Sequence, residues 1–169
     1  MTAPDFDFAT FDSSTVGTYL VSSDDLVMFE AAALKAGRLV RRAELRGCRD
    51  KAALLQRIAG AFDVPSAFGR NWDALSDCLR DFGWLPATGY VFLLDHVDDL
   101  RAANAAAFDT LIDLFDEAAA VWNERDVPFW AFFGLSDSAL DALDGLHHLA
   151  ADTVCLLPSS TNPSGCRLP

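Results

Sequence analysis

The sequence predicts a single α/β domain organised around a parallel sheet. Two stretches, Tyr90–Asp95 and residues 127–133, are near-continuous apolar runs bounded by turn residues, the pattern of strands buried on both faces. Between them residues 104–124 form a long amphipathic segment with Phe108, Leu111, Ile112, Leu114 and Phe115 on one side. Its length suits a helix that carries the chain back to a parallel strand through a right-handed crossover. At 169 residues the chain is sized for one domain burying about 70% of the surface its unfolded form exposes. A hydrophobic content of 51%, with 13 Phe and 4 Trp, excludes disorder, because burial on that scale offsets the entropy lost on ordering.

The remaining elements follow in chain order. Residues 16–21 read as a short strand, and the next stretch to residue 36 as a helix that Ser22, Ser23 or Asp24 can cap and Gly37 ends. Residues 39–45 read as a strand whose Arg41, Arg42 and Glu44 place it at a sheet edge or strand end. Asp50 caps a helix to about Phe62, in which Ala53, Leu54, Ile58 and Ala61 form the apolar stripe, and Pro65 closes the connection. A further helix from about Asn71 to Phe82 carries Trp72, Leu75, Cys78, Leu79 and Phe82 on one side and acids on the other, and Gly83 and Pro86 stop it. After the last strand, Ser136 or Asp137 caps a short helix to about Ala150, and from Pro158 the chain is rich in Pro, Ser, Gly and Asn. No internal repeat or linker divides the chain.

A net charge of −12 repels phosphate backbones and anionic headgroups and favours a basic partner. Cys48, Cys78, Cys155 and Cys166 are scattered without zinc-ligand spacing and read as reduced thiols. Asp5 and Asp7 stand where a secretion signal needs positive charge, and no apolar run approaches the ~20 residues of a membrane span, so the expected location is cytoplasmic.

The chemically informative stretch runs from Phe68 to Leu79. Asp73, Asp77 and Asp81 are four residues apart, about 6 Å between successive positions along one helix face. Such like-charge pairs cost a few tenths of a kcal/mol each, and only Asp73 in the first turn gains from the helix dipole. Either solubility or a function needing stacked carboxylates accounts for them. The order aromatic, Gly, any residue, Asn, apolar, Asp, Ala, Leu, any residue, Asp, Cys, Leu decides between the two. Phe68, Gly69, Asn71, Trp72, Asp73, Ala74, Leu75, Asp77, Cys78 and Leu79 fill its fixed positions. This resembles the signature of the barstar family of intracellular ribonuclease inhibitors, and the resemblance extends over residues 38–135.

The resemblance implies a compact three-stranded parallel sheet packed with helices. Residues 1–37 then form an N-terminal extension of strand and helix packed on that core, and residues 136–169 a C-terminal helix and tail. It implies an inhibitor that inserts an acidic helix and its preceding loop into the basic active-site cleft of an extracellular-type ribonuclease, with no cofactor, no metal and no direct contact to nucleic acid or membrane. By position, Asp77 is the central carboxylate mimicking a substrate phosphate, and Asp73 pairs with neighbouring basic or polar groups. Gly69 and Asn71 contribute loop contacts and Glu117 a peripheral acid, with Trp72, Ser76, Arg80 and Asp81 on the same surface. The chain departs from the best-known member at Ala67 and Ser76, where that protein has aromatic side chains, and at Arg70, where it has an acid. Arg70 and Arg80 put positive charge beside the acidic face, which selects against a strongly basic cleft. Trp72 and Trp84 either replace the missing aromatic anchors or belong to the core.

His147 and His148 read as surface residues at a helix end. His96 beside Asp95, Asp98 and Asp99 is either a metal or acid–base site at a strand's carboxyl end or a capped loop leading to the next helix. Neither a glycine-rich phosphate loop nor a nucleophile with its base is present. The competing readings are a hydrolase using some of the carboxylates with a divalent ion, and a barstar-like scaffold bound to another basic protein.

Overall fold

The computed structural model describes residues 16–65 and 68–144, with the backbone of 155–156. The chain runs β1 (Gly17–Ser22), α1 (Leu26–Lys35), β2 (Leu39–Glu44), α2 (Lys51–Ala61), α3 (Trp72–Arg80), β3 (Tyr90–Asp95), α4 (Asp98–Ala103), α5 (Ala105–Glu124), β4 (Phe129–Leu135), α6 (Asp137–Asp144) and β5 (Cys155–Leu156). All strand pairs are parallel, in the order β2-β3-β4-β1, with the two-residue β5 on the outer side of β1.

The three-stranded sheet expected from the resemblance is therefore extended. β1 pairs with β4 along its whole length, from Gly17 opposite Trp130 to Ser22 opposite Leu135. Every residue of β4 is buried, so its outer edge needs a partner to satisfy the backbone and cover the aromatic rings. β2, the strand with the charges, lies at the opposite edge as its composition predicts.

The two faces of the sheet alternate with period two. On one, Val21, Val91, Leu93, Trp130 and Phe132 pack against Leu26, Phe29, Ala32 and Ala33 of α1. On the other, Phe92, Leu94, Phe129, Ala131 and Phe133 pack beneath α2, α3 and α5 through Leu54, Leu55, Ile58, Leu75, Leu79, Leu111 and Phe115. Asp50 caps α2 by accepting from the Ala53 amide at 2.8 Å, and Asn104 caps α5 by accepting from Ala107 at 3.1 Å.

Several expectations are corrected. A 3-10 turn over Ser23–Asp25 leads into α1 without a side-chain cap, because the Ser22 hydroxyl donates instead to Asp137 Oδ1 at 2.7 Å. β4 starts two residues later than residue 127, since the Val127 amide still bonds Trp122 O behind α5 and Pro128 has no amide to offer. The stretch after Asp95 includes the two-turn α4, whose single buried side chain, Leu100, leaves no apolar period to read. Ser136 caps α6 as expected, with its hydroxyl 3.4 Å from the Ala139 amide, and the predicted continuation to Ala150, the His147–His148 pair, Ala67, the N-terminal stretch and the tail lie outside the described residues.

One half-buried carboxyl sits between α5 and the sheet. Burial raises the Asp116 carboxyl to about 6, with the Asp113 charge adding to the effect and the Thr18 hydroxyl offsetting part of it. A carboxyl whose folded pKa exceeds its unfolded value favours folding when protonated, so stability falls as pH rises from about 4 to 6. Discounted for its partial solvation, the penalty above that window is about 1–2 kcal/mol. Urea unfolding of Asp116→Asn is expected to show that gain over the native chain at pH 8 and none at pH 4.

Candidate functional site

α3 and the loop before it carry the predicted site. Asn71 has extended backbone and its Oδ1 accepts from the Ala74 amide at 2.8 Å, so the side chain starts the helix. Just before it, Arg70 adopts a left-handed φ of 48°, a turn that exposes Gly69, Arg70 and Asn71 together. A Cβ at Gly69 would lie 3.2 Å from Asn71 Nδ2, a close approach that favours glycine there.

Within α3, Leu75 and Leu79 are buried against the core and Trp72 packs at its margin under the Lys51 ammonium, 5.5 Å from the ring centroid. Trp84 likewise packs on the core. Both tryptophans pack on the core with part of their surface still exposed. Asp73 and Asp77 are exposed, Ser76 is half-buried, and among the described residues neither aspartate has an ion-pair partner. Beside Asp77 opens a pocket of about 260 Å³ lined by Val64, Phe68, Gly69, Ala74, Asp77 and Cys78. Burial, then the Asp77 and Asp81 charges, raise the Cys78 thiol, and burial raises that of Cys48, so neither is an activated nucleophile.

The other end of the helix is held by α5. Trp122 Nε1 donates to Leu79 O at 2.7 Å and Arg125 Nη1 to Arg80 O at 2.8 Å, so two terminal carbonyls of α3 find partners. Arg80 forms an ion pair with Glu117 of α5. The structure thus brings Gly69, Asn71, Asp73 and Asp77 to one exposed edge, with Ser76 beside them, and places Arg80 and Glu117 as a linked pair at the far end. Asp81 is corrected out of the acidic stack. Its φ of −138° and ψ of 105° end the helix, and its carboxylate turns to the Gly83 amide at 3.1 Å.

The acids next to His96 separate as well. Asp98 Oδ1 accepts from the Ser136 amide and hydroxyl, and Asp99 Oδ2 from the Gly47 amide, so each ties α4 to a neighbouring loop. Asp95 and His96 are joined by Glu44 of β2, a residue that local sequence could not bring there because only the β2–β3 register places it opposite Asp95. After β1 the segment Ser22-Ser23-Asp24-Asp25 has neither the glycines nor the lysine of a phosphate-binding loop.

Among solved structures the fold is similar to that of the Aeropyrum pernix ORC2 protein in its ADPNP-ADP complexes, at 16% identity and a TM-score of 0.53 over 85% of this chain and 42% of that one. It is also similar to a chain of the Drosophila ORC bound to GC-rich DNA and Cdc6, at 16% identity and a TM-score of 0.50 over 93% of this chain and 27% of that one. The chain spans less than half of either, and the likeness is one of fold. No curated protein matches the chain. The family described as Barstar (barnase inhibitor) matches residues 38–134, which takes in the sheet from β2 to β4 and the whole of α3 with its preceding loop. With more than half of its length inside that match, this chain belongs to the barstar family.

Proposed function

We propose that the protein inhibits a small basic ribonuclease by docking α3 and the loop before it into the active-site cleft, with Asp77 standing in for a substrate phosphate. The observation that carries this reading is the pair of exposed, unpaired carboxylates Asp73 and Asp77 on a helix that α5 holds rigid, within a family described as barnase inhibitors. A nuclease cleft presents Arg, Lys and His arranged for phosphate, and carboxylates aimed at it form charge-assisted hydrogen bonds. Because Asn71 caps the start of α3 and Trp122 and Arg125 hold its last carbonyls, little ordering is left to be done on binding. The pocket beside Asp77 receives a partner side chain next to the basic group, in place of the aromatic contact area absent at Ser76. Arg80 is neutralised by Glu117, so the positive charge near the acidic face is chiefly that of Arg70.

Asp73 and Asp77 are exposed and Glu117 is engaged by Arg80, which argues against these acids sharing a metal ion in a hydrolase. No helix among the described residues is long and apolar enough to cross a membrane, and an intracellular role follows from the inhibitor reading. Titration of the full chain into small secreted ribonucleases of the same organism, following RNA cleavage, is expected to give one-to-one inhibition that weakens as salt rises from about 50 mM to 0.5 M. A chain that inhibits none of them while binding a different basic protein through α3 moves the function to that partner.

A further inference from the structure

Where β2 and β3 end side by side at the carboxyl edge of the sheet, Glu44, Asp95 and His96 bring one ligand atom each to within 4.8 Å of one another. His96 follows the last residue of β3 with a φ of 53°, so the chain turns sharply out of the strand. Its Nδ1 then lies 2.9 Å from Asp95 Oδ1 and 3.2 Å from Glu44 Oε1. Donor atoms about 2.1 Å from a four- to six-coordinate ion are separated by roughly 3.0–3.4 Å, which the two His96 contacts approach, while the Glu44 and Asp95 oxygens lie within 4.8 Å of each other.

Asp95 supplies an independent observation. It is 1% exposed, and its Oδ1, facing His96 and Glu44, is buried without a hydrogen bond of acceptable geometry. Its Oδ2 is taken by Arg42, which also holds Glu30 at 3.1 Å. Arg42 therefore fixes the carboxylate plane and leaves one oxygen pointing into the cluster, the arrangement by which outer groups orient a metal ligand. Glu44 is oriented in turn, its Oε1 accepting from the Arg46 amide at 2.9 Å while keeping a further lone pair. Apart from the His96 ring no donor reaches that buried oxygen, and a cation there offsets the cost of its burial.

We propose that Glu44, Asp95 and His96 form a site for a divalent transition-metal ion of the zinc or manganese class, with water completing its coordination. Two carboxylates and an imidazole suit such ions, whereas magnesium and calcium take oxygen ligands. The Arg46 guanidinium, exposed and 2.6 Å from His96 Nε2, moves aside as Nδ1 takes the ion and the ring proton passes to Nε2. The site shares no residue with the face of α3, so it stands or falls separately from the inhibitor reading.

The full chain, freed of metal with EDTA, is titrated with Zn²⁺, Mn²⁺ and Mg²⁺ by calorimetry, and its thermal unfolding is followed with and without ion. Expected are one Zn²⁺ or Mn²⁺ per chain, a raised Tm, weaker Mg²⁺ binding, and at least tenfold loss of affinity in Glu44→Gln and in His96→Gly. Both variants keep the backbone, since Glu44 is exposed and glycine accepts the left-handed turn at His96. Their unfolding without metal checks that they fold. Cys78→Ser and the double variant His147→Ala/His148→Ala are expected to bind as the native chain does. Absence of saturable binding at millimolar Zn²⁺ and Mn²⁺ overturns the proposal, and so does binding that Glu44→Gln and His96→Gly leave unchanged.

Discussion

Alanine in place of Asp77 is expected to weaken ribonuclease binding by about 3–5 kcal/mol, the cost of leaving a buried charge without its partner, while leaving the folded chain nearly as stable as before. The separation follows from where the residue sits. Asp77 is exposed on α3, has no ion-pair partner among the described residues, and does not cap the helix, a task that belongs to Asn71. Its removal also relieves the repulsion from Asp73 one turn earlier, a gain of a few tenths of a kcal/mol. On the proposed inhibitor reading the same truncation strands the nuclease cation that the carboxylate would meet, and affinity falls by roughly two to four orders of magnitude. Inhibition titrations paired with urea unfolding check both halves. Equal loss of stability would make Asp77 a structural residue, and undiminished inhibition would take α3 out of the interface.

The opposite pattern is expected for Phe92→Ala. Phe92 lies at the middle of β3 with no exposure, its ring centroid 4.6 Å from Phe62, 5.2 Å from Phe129, 5.4 Å from Phe82 and 5.9 Å from Phe115. These rings come from the α2 end, β4, the segment after α3 and α5, so one truncation opens a cavity that no single neighbour can fill. The cost is about 3–5 kcal/mol, lowering Tm by roughly 10 °C for a domain of this size. At a temperature where the variant is folded, its inhibition of the ribonuclease is expected to match the native chain, because the acids on α3 are untouched. A melt within about 2 °C of the native chain would mean that the core repacks around the gap. Loss of inhibition in the folded variant would mean that core packing sets the pose of α3.

How far each part of the molecule was legible in the chain depends on the range of the interaction that sets it. β3 matched its expected limits because an unbroken apolar run between turn residues is a local signal. α2 and α5 were equally readable, each from its apolar stripe, with Asp50 marking the start of α2. The end of α3 was not. Periodicity carried the helix through Phe82, but Asp81 gains more from the Gly83 amide, and Trp122 and Arg125 already satisfy carbonyls of the last turn.

Local pattern in this sequence was sufficient for the fold class, the family signature from Phe68 to Leu79, the edge position of β2 and the exposure of Asp73 and Asp77, because each rests on neighbours a few residues apart. Packing across the chain settled the rest. β1 joined the sheet beside β4, more than 100 residues later, because a strand buried on both faces cannot leave its outer edge bare. Glu117, still exposed, met Arg80 because α5 docks on α3. Glu44 reached Asp95 and His96 through the parallel register of β2 and β3. Strand register and helix docking depend on which apolar faces meet across long sequence separations, and a one-residue slip of β2 against β3 would send Glu44 to the other face of the sheet.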